Sequence, residues 1–238
     1  MYKVGKACSA CPRGYSCDDG LCSKGATKKQ PQRPSTGKAK SVKISTSEYD
    51  QFKEYAVYMG VYDYNSKTGV YQQRSSGKPR YLFTTDDKKL CMVGSNPEKS
   101  VGWLSSSSTC SSLPTSGWEF WSSDNNKWIS DDSIGVYEGD MNPCSTISIT
   151  VTGAAEYQSE CCRSKFKLTN SWLNGRAVYT NGEGNKLHFS DDGVWKVGSE
   201  YNKYRIKSSD GPLYASNAKK WKFWDGKTDK SANVEITC

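Results

Sequence analysis

Histidine is almost absent: His188 is the only one in 238 residues. Hydrolases that activate a serine or cysteine need a base beside the nucleophile, and no Gly-x-Ser-x-Gly elbow accompanies this one. In Lys186-Leu-His-Phe189 the imidazole alternates out of phase with Leu187 and Phe189, which assigns it to the surface of a strand. Matched catalytic carboxylates are missing too. The acids cluster as Asp86-Asp87, Asp124, Asp131-Asp132 and Asp191-Asp192. Neighbouring carboxylates in a turn do not face each other across the roughly 5–10 Å cleft of a glycosidase. Neither Asp124-Asn-Asn126 nor Asp191-Asp-Gly193 runs on into EF-hand spacing, which leaves polar hairpin turns as the reading. No apolar run approaches the ~20 residues of a membrane-spanning helix. No apolar segment follows the start, so no signal peptide is visible. No Asn-x-Ser/Thr sequon occurs, and N-linked glycosylation is not expected.

What is present is aromatic and sulfur-rich. Hydrophobic residues make up only 35% of the chain, yet 8 Trp, 15 Tyr and 6 Phe exclude a disordered polymer. Each large ring removes roughly 150–250 Å² from water, so a few can hold a module of about 80–100 residues. Ten cysteines, an even number, point to disulfides and an oxidising compartment. That compartment and the missing signal peptide agree if the chain is a mature fragment or lacks its original N-terminus.

The strongest pattern is internal. Trp118-Glu-Phe-Trp121 returns as Trp221-Lys-Phe-Trp224, 103 residues later, with its surroundings. Asp86-Asp87 and Met92-Val-Gly-Ser95 precede the first copy; Asp191-Asp192 and Lys196-Val-Gly-Ser199 precede the second. Matched order with near-matched spacing implies two copies of one module, 44–139 and 140–238. Short β-favouring runs at about ten-residue spacing, separated by turn chemistry, make each module antiparallel β. Ser145-Thr-Ile-Ser-Ile-Thr-Val-Thr152 alternates strictly and is the clearest strand. Glu48 to Tyr55 fits a helical turn or an entering strand. Within Trp118–Trp121, Trp118 and Phe120 share one face, Glu119 and Trp121 the other. The two Trp-x-x-Trp strings also resemble C-mannosylation acceptors, which calls for Trp118 and Trp221 to be partly exposed during secretion.

The cysteines divide accordingly. Cys91 and Cys110 close a Ser/Thr loop and are the preferred pair of the first module. In the second, Cys238 staples the last strand to Cys144, Cys161 or Cys162. At the start, Cys8, Cys11, Cys17 and Cys22 crowd into fifteen residues, a loop that only cross-links can hold. Cys8-x-x-Cys11 has zinc-ligand spacing, but no histidine stands nearby, and disulfides are the expectation for all ten.

Residues 1–22, with Gly5-Lys6-x-Cys8-Ser-x-Cys11-Pro-x-Gly14-Tyr15-x-Cys17 and Gly20-Leu-Cys22, resemble the end of the CAP superfamily domain. That is the family of cysteine-rich secretory, antigen-5 and pathogenesis-related proteins. The resemblance implies an α/β/α domain upstream of Tyr2 and a hinge at 1–22. The family's His and Glu cavity residues would lie in that upstream part, so none is carried over. The repeat is similar to modules of secreted marine-invertebrate proteins, through Asn174-Gly-Arg-x-Val-Tyr179 and Trp195-x-Val-Gly198. That likeness implies fold and compartment only. The first module departs from it, with Cys91 in place of the tryptophan.

Residues 23–43 carry seven Lys or Arg and no acid, with few large apolar residues. This composition is that of a flexible linker, either a solvated spacer or a tether offering a polyanion contact. It holds no aromatics to stack on bases, so nucleic acid is not an expected partner.

The fold class is therefore mainly β: a small disulfide-knotted N-terminal segment, a linker, and two tandem antiparallel modules. The expected function is non-enzymatic extracellular binding of a glycan, matrix or protein partner, with no cofactor, metal or membrane span. Exposed indoles stack on sugar rings while adjacent acids and amides bond the hydroxyls. Trp103, Trp121, Trp128 and Trp224 are the candidates. A secreted toxin-like or channel-modulating CAP-type protein and an enzyme with a pocket between the modules are the alternatives.

Overall fold

A computed structural model describes residues 15–18, 21–24, 39–47, 53–87, 89–152, 160–201 and 203–238. Cys8, Cys11 and most of the expected linker lie outside these residues. Residues 1–37 form one compact unit and residues 38–238 another. In the first, β1 (Tyr15–Asp18) and β2 (Leu21–Lys24) form an antiparallel hairpin with Cys17 opposite Cys22.

Alternation sets the strands of the second unit. The most regular, β12 (Thr146–Thr152), buries Ile147 and Ile149 and leaves Thr150 and Thr152 to solvent. Two nine-stranded antiparallel sheets result. The first contains β3 (Ser41–Ser45), β4 (Gly60–Asn65), β5 (Val70–Gln73), β6 (Tyr81–Thr84) and β7 (Cys91–Asn96). It continues with β8 (Val101–Ser106), β9 (Trp118–Ser122), β10 (Lys127–Asp131) and β11 (Gly135–Glu138). The second contains β12, β13 (Phe166–Leu173), β14 (Arg176–Thr180), β15 (Lys186–Phe189) and β16 (Trp195–Gly198). It ends with β17 (Ile206–Lys207), β18 (Lys222–Trp224), β19 (Asp229–Ser231) and β20 (Asn233–Thr237).

The spatial orders are β10-β9-β8-β7-β6-β5-β4-β3-β11 and β19-β18-β17-β16-β15-β14-β13-β12-β20. They are the same order: each sheet is a meander whose last strand returns to pair with its first. The repeat seen in the sequence is thus a repeat of topology. The first sheet starts earlier than expected, because Val42 and Ile44 alternate into the core and draw residues 41–43 out of the linker. Between β3 and β4, the ambiguous segment resolves as one helical turn, α1 (Lys53–Ala56), in its described part.

Each sheet buries its own aromatic cluster. Trp118, Phe120, Tyr62 and Leu104 belong to one; Trp195, Phe189, Phe166 and Trp221 belong to the other. Burying an indole of this size contributes roughly 4–6 kcal/mol by area. The ring N–H must then find an acceptor, and each does. Trp118 Nε1 donates to the Pro114 carbonyl (3.0 Å), Trp195 to Pro212 (2.9 Å) and Trp221 to Ala218 (3.1 Å). The exposure that C-mannosylation would call for at Trp118 and Trp221 is therefore absent in the fold: both are core.

Cys91 and Trp195 occupy equivalent positions and solve one problem by different chemistry. Cys91 bonds to Cys110, tying β7 to the short helical turn 110–112, as expected. Trp195 holds β16 to the corresponding loop through its indole hydrogen bond. The other expected staple is Cys144–Cys238. Cys161 and Cys162, expected among the disulfides, are instead buried thiols lying side by side, with sulfurs 2.7 Å apart. Cys144 has taken Cys238, and the two remaining thiols are left beside each other.

The sheets meet along a buried polar seam. At its centre the two-residue turn Asn174-Gly175 joins β13 to β14 with φ of +48° and +71°, the signs a type I′ turn requires. Gly175 N donates to the Arg74 carbonyl (3.0 Å), and Val61 N donates back to the Gly175 carbonyl (3.1 Å). Arg176, fully buried, donates to the Met59 carbonyl at 2.6 Å and lies 4.0 Å over the Phe189 ring. Arg80 bonds Asn174 Oδ1 at 2.7 Å, and Gln73 Nε2 bonds the Val57 and Met59 carbonyls, each at 2.9 Å. A buried polar group left unpaired costs about 1–3 kcal/mol, so this paired set fixes one docking arrangement.

Candidate functional site

On β9 the residues alternate as the sequence implies. Trp118, Phe120 and Ser122 point inward, while Glu119 is exposed and Trp121 half-buried on the opposite face. The edge strand β10 pairs Trp128 with Trp121 and Ser130 with Glu119. The two indoles meet edge-on, with centroids 5.7 Å apart and planes at 71°, and Trp128 remains 36% exposed. Such a pair is worth about 0.5–1.5 kcal/mol beyond area, enough to hold both rings in place before a ligand arrives. Glu119 accepts a long hydrogen bond from Ser130 Oγ (3.4 Å) and keeps other lone pairs toward solvent. An apolar ledge with carboxylate and hydroxyl alongside can take a sugar ring by its C–H face and bond its hydroxyls.

Trp103 and Trp224 do not join this pair. Trp103 is half-buried on β8, and its ring partner is Tyr58, 6.3 Å away. Tyr58 in turn lies 5.2 Å beneath the Arg80 guanidinium, beside the seam. Trp224 stands at the position of Trp121 in the second sheet and is 41% exposed. Across β18–β19 it faces Asp229 rather than a second tryptophan. Sequence reasoning named the rings and set Glu119 on the face of Trp121, but missed Ser130; its i, i+2 phase with Trp128 is the signal that finds it.

His188 is not on the surface. It does point away from Leu187 and Phe189, but Tyr201 covers it edge-on at 4.9 Å, and the residue is 0% exposed. Its Nε2 lies 3.2 Å from the Tyr201 carbonyl oxygen, which can only accept, so Nε2 carries the proton. Burial pulls its pKa below the ordinary histidine value, and the Lys196 and Lys186 charges push the same way.

The aspartate pairs are turns. Thr85 Oγ1 donates to Asp87, and Ser190 Oγ donates to Asp192, in the same place in each module. Partial burial works to raise the Asp192 pKa, but bonds from Lys196 and Ser190 outweigh it and hold the carboxyl below its usual range. Among the described residues no three His, Cys, Asp or Glu side chains converge as metal ligands. Two open clefts are described. One, of about 460 Å³, holds Glu235 as its sole carboxylate; the other, of about 440 Å³, holds Asp86. Neither offers the pair of acids a glycosidase needs.

No family model, curated protein or solved structure matches the chain. Among the described residues, no helix is long and apolar enough to cross a membrane.

Proposed function

We propose that this is a secreted, non-enzymatic binding protein whose tandem β-modules engage extracellular glycans. The observation that carries the reading is the Trp121–Trp128 pair, solvent-facing, fixed edge-on at 5.7 Å and flanked by Glu119 and Ser130. Secretion is supported by the disulfides Cys91–Cys110 and Cys144–Cys238, and by the likeness of residues 1–22 to a CAP-type hinge. The CAP likeness supports a tethering role for the modules, as a means of holding a CAP-type domain at a glycosylated surface.

The test is retention of the full chain on a panel of neutral glycans, with Trp121→Ala and Trp128→Ala variants. Each substitution is expected to weaken binding roughly tenfold, equivalent to about 1.4 kcal/mol. The reading fails if no glycan is retained, or if retention survives loss of both rings.

A further inference from the structure

The two modules share topology but differ in charge. Residues 44–139 carry nine Lys or Arg against twelve Asp or Glu, and residues 140–238 carry fourteen against eleven. The difference concentrates in the last strands and their loops. Residues 203–230 hold eight Lys or Arg and three Asp, whereas residues 101–130 hold only Lys127, with Glu119 and Asp124.

Strand register shows where this falls in the fold. In the first sheet one row across β6 to β10 reads Phe83, Met92, Ser105, Glu119, Ser130, each paired with the next. The equivalent row across β15 to β19 reads His188, Lys196, Lys207, Lys222, Ser231. An apolar-to-acidic row has become a basic one, with neighbouring positions about 4.8 Å apart across the sheet.

The inner part of the row is locked. Lys196 and Lys207 flank the Tyr204 ring at 5.3 and 4.7 Å, tied to Asp192 (2.8 Å) and Asp229 (2.6 Å). The outer part faces solvent. Lys222 is exposed, and two residues on, along the same face, Trp224 is exposed as well. Arg205, exposed just before β17, lies opposite Trp224, whose backbone N–H donates to its carbonyl at 3.0 Å.

We infer that this outer part of β17 to β19 binds a sulfated polysaccharide, with Lys222 and Arg205 on the anionic groups and Trp224 under a sugar ring. The inference rests on the reading that a solvent-facing tryptophan here is a sugar platform, and adds the ligand's charge. Glu119 stands where Lys222 does, so one scaffold presents two selectivities: uncharged sugar at the first module, sulfated sugar at the second. A linear polyanion lying across this face meets Arg205 and Lys222 in turn.

The full chain is titrated with a heparin oligosaccharide, the same oligosaccharide desulfated, polyglutamate, single-stranded DNA and phosphatidylserine vesicles. Lys222→Glu, which installs the residue found in the first module, and Trp224→Ala are compared with wild type. The basic stretch 23–43 is unchanged throughout and contributes a constant background. Lys222→Glu is expected to weaken heparin binding about tenfold and to flatten its salt dependence. Trp224→Ala should weaken binding without changing the salt slope, and desulfation should remove most affinity. If neither variant alters heparin binding, the polyanion is held elsewhere and the inference is overturned. It is equally overturned if only Lys222→Glu has an effect, or if polyglutamate, DNA or vesicles bind as tightly with the same sensitivity. Trp121→Ala should leave heparin binding intact, so failure of the neutral-glycan reading is seen separately.

Discussion

Gly60 and Gly175 meet across the seam: a Cβ built on Gly60 would lie 2.5 Å from the Gly175 carbonyl oxygen. Real Cβ atoms do not approach a backbone oxygen so closely, and Gly60 also sits at φ +116°, a region closed to other residues. The two sheets dock where two backbones touch with no side chain between them.

Gly60→Ala should therefore cost more than its backbone conformation alone. Gly69→Ala is the control, at φ +75° with nothing within 4 Å of the new methyl. The control should lose about 1–2 kcal/mol. Gly60→Ala should lose about 3 kcal/mol or more and split one thermal transition into two, as the sheets come apart. Calorimetry reads both, and equal losses with a single transition would show that the seam does not couple the sheets.

The lone histidine gives a pH prediction. The folded His188 pKa lies below its unfolded value, chiefly through burial. The unfolded chain then binds the proton more readily. Stability from this group is complete above about pH 6.5, falls as pH drops below that, and levels off below the folded pKa. The slope cannot exceed about 1.4 kcal/mol per pH unit for one proton. Tyr201 covers the ring, while Lys196 across the strand pair and Lys186 on the same strand oppose protonation. An NMR titration should place the folded midpoint below 6.5. His188→Phe, the residue found at Phe83, should remove the component. A midpoint at or above 6.5 would refute the burial argument.

Cys161 and Cys162 should behave as protected thiols. The adjacent Cys161 thiol and burial both push the Cys162 pKa up, so little thiolate is present at neutral pH. Iodoacetamide should leave both unmodified in the native protein and label both after unfolding without reductant. Peptide mapping should find Cys91 joined to Cys110 and Cys144 to Cys238 in the same sample. A cross-link from Cys161 or Cys162 to any other cysteine would contradict this arrangement.

Features set within a few residues of chain were legible in the sequence. The faces of Trp118 to Trp121 followed from the two-residue period, and the Cys91–Cys110 bridge from the loop it closes. Features set by distant chain were not. His188 has the phase of a surface residue, and only the loop carrying Tyr201 buries it. Asn174-Gly-Arg176 read as a strand signature, yet its work is docking: Arg176 reaches Met59, 117 residues away. The isolated Gly60 between β-favouring residues was the one local hint of a close approach. Trp103, Trp121 and Trp128 have similar credentials as exposed rings, and only packing sends Trp103 toward Tyr58.

The return of each last strand to its first has a mechanical side. Because β11 and β20 run antiparallel to β3 and β12, the chain enters and leaves each module at the same end. Tension applied through the backbone would load the closing pair one hydrogen bond at a time, the geometry of a zipper, and the first module should open at low force. In the second module the zipper is locked: Cys144–Cys238 joins the two ends covalently, so a pull passes through the disulfide and leaves the sheet unloaded. A protein that held a surface through its second module could therefore be stretched at its first and keep its grip.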